Sequence, residues 1–186
     1  MNQLGFDPRR LHRESALVHS RPMPATTLVD LASLDLSRTV YTVADMQAVL
    51  RQRGTFSLID GIVHLDPAQS DFVVGYHDVR ADEWWARDHI PGRPIFPGVL
   101  MVEASAQLSS FDFFRRHPEV PTQFIAFTGI DRTRFRAIVE PPCRLYFVGK
   151  GERNRIHGSK VVFAYRVQGI VDGKLVFESE VSGMQL

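Results

Sequence analysis

From Gly98 to Arg116 the chain carries apolar residues on nearly every face a helix can present: Val99, Leu100, Met101, Val102, Ala104, Ala106, Leu108, Phe111, Phe113 and Phe114. A helix of that kind is stable in water only when most of its surface is covered. The segment therefore predicts a long helix at the centre of the fold, ended by Pro118, which cannot continue the hydrogen-bond ladder. The preceding stretch, residues 81–98, predicts a rigid packed loop. Pro91, Pro94 and Pro97 recur at intervals of three, which disfavours both helix and strand. Trp84 and Trp85 make the stretch too apolar for a loose linker.

The material that must cover this helix reads as sheet. Phe56–Val63 and Phe72–Val79 are rich in aromatic and β-branched residues, which predicts two strands, with Asp66-Pro67 as the turn between them. Gln123–Phe127 and Cys143–Gly149 are further strand candidates, and Val161, Phe163, Tyr165 and Val167 alternate with more polar neighbours. Asp172-Gly173 is a hairpin signal. After it Leu175, Phe177 and Val181 stand among Glu178 and Glu180, the pattern of an antiparallel sheet with one wet face. A short amphipathic helix is predicted over Thr42–Arg53, with Thr42 as N-cap and Gly54 as its stop. The sum is an α+β chain, one long buried helix against a largely antiparallel sheet. Residues 1–38 lack a clear apolar period and are broken by Pro22 and Pro24. They read as an irregular N-terminal extension, and residues 39–186 as one compact domain.

Composition narrows the function classes. The 186 residues include 22 basic and 21 acidic ones, a formal net charge of +1 that gives no support to nucleic-acid binding. No apolar run approaches the ~20 residues of a membrane span. Residues 1–22 hold Arg9, Arg10, Arg13 and Arg21 but no apolar core of a secretion signal, so a cytoplasmic protein is expected. The single cysteine, Cys143, cannot form an internal disulfide and reads as a packing residue. The seven histidines are scattered without metal-ligand spacing.

Within the central helix Glu103 stands out. Val99, Leu100 and Ala106 flank it, so an ionised carboxylate there must be paired or face a cavity. Gln107, one turn on, is placed to hydrogen-bond it. Asp112, the other acid of the helix, lies near its exit. His89 sits just before the proline-stiffened loop. A histidine held rigidly near a buried acid is a candidate general base; the same histidine read alone is a surface or structural residue. Pro97-Gly98 places a glycine N–H at the helix start. There unpaired amides and the positive dipole end can polarise a carbonyl oxygen, or they only mark helix initiation. Spacing alone leaves both readings open.

The run His89-Ile-Pro-Gly-Arg-Pro-Ile-Phe-Pro-Gly-Val-Leu-Met-Val-Glu103-Ala-Ser-Ala-Gln107 closely resembles the signature of the 3-hydroxyacyl-ACP dehydratases of bacterial fatty-acid synthesis. Arg53-Gly-Thr-Phe56-Ser-Leu-Ile-Asp60 and Gly129-Ile-Asp131-Arg-Thr-Arg-Phe135 resemble two further segments of that family, so the likeness covers roughly residues 40–185. It implies a hot-dog fold, a curved antiparallel sheet wrapped around one long helix. It also implies a homodimer, often assembled into a trimer of dimers, in which His89 of one subunit faces Glu103 of the other. The implied reaction is loss of water from a 3-hydroxyacyl thioester on acyl carrier protein or coenzyme A, with no metal or redox cofactor. His89 removes the α-proton, Glu103 protonates the leaving hydroxyl, the Gly98 N–H polarises the thioester carbonyl, and Gln107 orients Glu103. Arg132, Arg134, Arg136, Lys150, Arg153 and Arg155 are candidates for a basic rim facing an acidic carrier, or are ordinary solvated charges.

Several positions depart from the family pattern. Asp88 stands where the family has glycine and Ile90 where it has phenylalanine. A carboxylate at 88 raises the His89 pKa if it points inward and faces water otherwise. Gln52-Arg53 replaces a His-Arg pair, and Pro141-Pro142-Cys143 replaces Pro-Gly-Asp. Glu103 and Arg93 resemble the plain dehydratases more than the dehydratase/isomerases, which typically have aspartate at both places. Two alternative readings remain on the sequence: a hot-dog acyl thioesterase, which lacks this His…Glu signature, and a non-catalytic hot-dog domain that binds acyl chains or scaffolds a complex.

Overall fold

The computed structural model describes residues 26–158 and 160–185; the part of the predicted extension before Thr26 lies outside them. In chain order the elements are β1 (Tyr41–Thr42), α1 (Val43–Gln47), β2 (Gly61–Leu65), β3 (Phe72–Val79), α2 (Trp84–Asp88), α3 (Gly98–Arg116), β4 (Ile125–Phe135), β5 (Cys143–His157), β6 (Lys160–Val171) and β7 (Lys174–Gln185). The strands form one sheet in the order β1-β2-β3-β5-β6-β7-β4, with every neighbouring pair antiparallel. Helix α3 touches β3, β4, β5, β6 and β7, so the sheet wraps around it in the hot-dog arrangement.

The wrap depends on close approach. Leu108 of α3 is fully buried and nests over Gly75 of β3 and Gly149 of β5. A Cβ on Gly75 would come within 2.9 Å of Leu108, and one on Gly149 within 3.3 Å. Side chains alternate across a strand, so Val73 and Phe147 face α3 while their neighbours Val74 and Val148 face outward. There Val63, Val74, Val148 and Ile170 form a second apolar cluster, covered by Leu28, Val29, Leu31, Leu34 and Leu36. Gln168 pins that covering segment. It accepts the Leu28 N–H at 2.6 Å and donates to the Thr26 carbonyl at 3.1 Å. Residues 26–36 are thus packed on the sheet's outer face.

Several elements differ from expectation. The helix predicted over Thr42–Arg53 is only Val43–Gln47, opened by a reciprocal Thr42–Asp45 capping box. It stops early because the Arg53 guanidinium takes the carbonyls of Gln47 and Leu50, at 2.8 and 2.7 Å. The strand predicted from Phe56 begins only at Gly61. Gly54, at φ +59°, turns Gly54–Phe56 into a 3-10 turn. The predicted loop 81–98 contains helix α2 in its proline-free part, before Pro91. Strands β4 and β5 run well beyond Phe127 and Gly149; the part of β5 from Gly151 to His157 is polar because both faces there are wet. The Asp172-Gly173 hairpin is present, with both residues at positive φ (49° and 73°).

Asp112 lies one turn before the end of α3, near the exit as expected, and is completely buried there. It accepts from Arg116 at 2.7 Å and from Tyr165 at 2.8 Å. Burial raises its pKa against the opposing pull of Arg116. The same Arg116 donates to the carbonyls of Ser70 and Phe72, tying the end of α3 to the start of β3.

Candidate active site

Glu103 lies on the one face of α3 that its own sheet does not cover. Val99, Glu103, Ala106 and Ser110 recur at helical spacing along this face, and Val99 is 73% exposed. The neighbours of Glu103 are indeed apolar, but they line an opening rather than a sealed core. A cavity of about 230 Å³ starts at Glu103 and Gln52 and continues past Ala106, Ser110, Phe127 and Phe163. Two amides converge on the same carboxylate oxygen. Gln107 Nε2 donates to Glu103 Oε1 at 2.9 Å and Gln52 Nε2 at 3.2 Å, and Oε2 has no hydrogen-bond partner among the described residues.

Gln107 is itself fixed. It is 3% exposed, its Oε1 accepts the Leu58 N–H at 3.0 Å, and its Nε2 also donates to the Phe56 carbonyl at 2.8 Å. The backbone at Phe56 and Leu58 thus dictates which end of the amide faces Glu103. Replacing Gln107 with leucine strands that backbone pair and removes the shorter of the two bonds to Glu103. We expect a stability loss of about 1–3 kcal/mol, which denaturant unfolding checks. Gln52 was not singled out from the sequence as a site residue. Its only signal was its place in the segment that departs from the family's His-Arg pair.

His89 is the C-cap of α2, its N–H bonded to the Trp85 carbonyl at 2.9 Å. Its ring is exposed, and Nδ1 lies 2.9 Å from the Ile95 carbonyl oxygen. A carbonyl only accepts, so Nδ1 carries the hydrogen and Nε2 of the neutral ring holds a free lone pair. Asp88 does not point at this ring. Its carboxylate is paired side by side with Arg87, at 2.7 and 3.1 Å, which lowers the Asp88 pKa and leaves His89 Nε2 unengaged.

Gly98 is the first residue of α3, and no side chain caps that end. Its N–H has no acceptor among the described residues. A Cβ at this position would lie 2.7 Å from the Phe135 ring, so only glycine lets Phe135 roof the helix start. Arg93 reaches Glu140 at 2.8 Å. Cys143 is packed against the core, and burial raises its thiol pKa with help from Asp172 and Asp78, which suits packing rather than nucleophilic attack. Of the predicted basic rim, Arg132, Arg136 and Lys150 are paired with Glu180, Glu178 and Asp71. Arg134, Arg153 and Arg155 have no carboxylate partner among the described residues.

Within one chain the structure brings Glu103, Gln107 and Gln52 together, and separately His89 with the loop before Gly98. No hydrogen bond or ion pair links His89 to Glu103, and His89 does not line the Glu103 cavity. Among the described residues no group of His, Cys, Asp and Glu side chains is placed to hold a metal ion, and no helix is long and apolar enough to cross a membrane.

Comparison with known proteins gives a consistent picture. The FabA-like domain family matches residues 50–180. A 3-hydroxyacyl-[acyl-carrier-protein] dehydratase FabZ of Campylobacter jejuni is 34% identical over 145 residues, spanning 76% of this chain and 95% of its own length. The enzyme of the same name from a Sulfurovum species is 30% identical over 150 residues, spanning 78% of this chain and 97% of its own. Among solved structures, the dehydratase heterocomplex ApeI:P of Xenorhabdus doucetiae superposes with a TM-score of 0.60 at 12% identity, over 76% of this chain and 90% of that one. The TT0310 protein of Thermus thermophilus gives 0.52 at 18% identity, over 73% and 100%. At those identities the two structures speak for the fold alone.

Proposed function

The chain belongs to the FabA-like family, and from that membership we propose that it converts 3-hydroxyacyl thioesters on acyl carrier protein into trans-2-enoyl thioesters. Its place is fatty-acid or related lipid biosynthesis in the cytoplasm. The observation that carries the reading is the complementary preparation of two side chains. His89 is held through Nδ1 on the Ile95 carbonyl, with Nε2 turned away from that contact, and Glu103 is held through Oε1 by two amides at the mouth of an apolar cavity.

The reaction follows from those assignments. His89 Nε2 takes the proton from C2 of the substrate, and that electron pair becomes the C2=C3 double bond. The C3–O bond breaks, and Glu103 Oε2 delivers a proton to the departing hydroxyl, which leaves as water. The Gly98 N–H and the start of α3 stabilise the negative charge that gathers on the thioester oxygen. Proton return from the His89 imidazolium to the Glu103 carboxylate, through solvent, resets the pair.

The site is completed between two copies of the chain. Val99, Phe127, Ile130, Phe135 and Ile138 are exposed apolar residues along the open face of α3 and the β4 side of the sheet. Such a patch calls for a covering surface. A second copy related by a two-fold axis covers it and delivers the partner's catalytic histidine to the Glu103 cavity. Arg134, Arg153 and Arg155, without a carboxylate partner among the described residues, are available to an acidic carrier.

The test is incubation of the protein with 3-hydroxyacyl-carrier substrates of several chain lengths, followed by mass as enoyl product, with the coenzyme A thioesters alongside. Enoyl-carrier product at rates above those of the coenzyme A forms is expected. Hydrolysis to free acid would point to a thioesterase, and no reaction at any length to a binding domain.

A further inference from the structure

His77 lies outside the cavity, and the chemistry above does not use it. It sits on β3 with 3% exposure. Both ring nitrogens face carboxylates. Nε2 is 3.1 Å from Glu83 Oε2 and 3.2 Å from Oε1. Nδ1 is 3.0 Å from Asp60 Oδ2, an ionic contact rather than an aligned hydrogen bond. A neutral imidazole has one N–H, so one of these contacts would set a lone pair against a carboxylate; the imidazolium presents an N–H to Glu83 and its positive charge to Asp60. The two acids are anchored in turn, Asp60 by the Asp78 N–H at 2.7 Å and Glu83 by the Arg80 N–H at 2.9 Å. Burial pulls the His77 pKa down, but the bonds and charges of Asp60 and Glu83 outweigh it and raise the pKa to about 9. Those two acids are the charged groups facing the ring. Arg80 acts on Asp60 and lowers its pKa further.

What this ion triad holds is the frame of His89. Glu83 is the N-cap residue of α2, whose C-cap is His89. The His77 ring also packs on Phe96, centroids 5.2 Å apart, and Phe96 meets Trp85 of α2 edge-on at 5.3 Å. Phe96 follows Ile95, the residue whose carbonyl fixes His89 Nδ1. One buried side chain thus touches both the start of the helix that carries His89 and the segment that orients its ring.

We propose that protonated His77, clamped between Asp60 and Glu83, is the positioning residue that holds His89 in its base-competent tautomer and orientation. The proposal rests on His89 being the catalytic base. Loss of the His77 proton turns the Glu83 contact or the Asp60 contact repulsive, releases α2, and lets His89 leave the Ile95 carbonyl. Relative to an unfolded histidine, protonation of His77 favours the folded state fully below the unfolded pKa. The benefit fades as pH rises toward about 9 and is absent above it.

The first test uses the wild-type protein. With 15N-labelled histidine, His77 is expected to titrate with a midpoint near 9, and the Nδ1–H tautomer signal of His89 to change with the same midpoint. A His89 signal that stays constant while His77 loses its proton overturns the proposal. The second test is kinetic. His77→Lys keeps the cation, and its kcat is expected within about threefold of wild type, while His77→Gln loses kcat on the order of 10- to 100-fold with KM nearly unchanged, as for a misplaced catalytic group. Equal kcat for the Gln and Lys variants also overturns it. If His77→Gln does not fold, the tautomer measurement decides. His89→Ala, assayed in parallel, separates the two claims. Full activity there sinks the base assignment, whereas an inactive His89→Ala beside a fully active His77→Gln sinks only the positioning role.

Discussion

Replacement of His89 with alanine is expected to lower kcat for enoyl formation on the order of 10²- to 10⁴-fold, the usual contribution of a positioned acid or base. The loss should fall on kcat with little change in KM, because the proposed mechanism brings Nε2 to the reacting C2–H and not to the acyl chain or the carrier. Folding should be spared. The ring is exposed and, among the described residues, makes a single hydrogen bond, to the Ile95 carbonyl, so the change in stability is expected within about 0.5 kcal/mol. A thermal melt beside the progress curves checks both halves. A fall in activity that tracked a fall in melting temperature would mean that His89 is structural.

Glu103→Gln is the second large effect, again on the order of 10²- to 10⁴-fold in kcat. The side chain keeps its volume and its carbonyl oxygen, so Gln107 and Gln52 still have an acceptor for the bonds now made at 2.9 and 3.2 Å. What disappears is a proton that can leave with the hydroxyl. An elimination assay with a substrate whose C3 leaving group departs without protonation should therefore recover much of the loss in Glu103→Gln and none of it in His89→Ala. Equal recovery in both variants would contradict the division of labour between base and acid.

The central helix was legible because its signal is both periodic and long. Gly98–Arg116 is read from apolar content, the Pro97 start and the Pro118 stop. The sheet was legible in its buried halves, such as Phe72–Val79, and illegible where both faces are wet. Residues 151–157 of β5 carry Glu152, Arg153, Asn154 and Arg155 and pair with β6, so no alternation marks them. Helix α2 was hidden by its neighbours: prolines from 91 onward coloured a stretch whose first part contains none. At the site, Gln107 was legible from its i+4 spacing to Glu103, but Gln52 was not, because its 3.2 Å contact spans 51 residues of sequence. The Asp60–His77–Glu83 triad was illegible for the same reason, since its three members meet only in the folded chain. Asp88, open to two readings in the sequence, is turned toward Arg87 by a bidentate pair that its neighbour alone supplies.

The most direct test of the central claim, that His89 and Glu103 act together across a two-fold interface, is to co-fold the His89→Ala and Glu103→Gln variants and assay the mixture. Each variant alone is expected to be inactive. In a heterodimer, one of the two composite sites carries both lesions and the other carries both wild-type residues. Random pairing should then restore roughly a quarter of wild-type activity. Restoration at that level would establish both residues as catalytic and their pairing as intersubunit. A mixture of folded dimers that stays as inactive as its parents would contradict it.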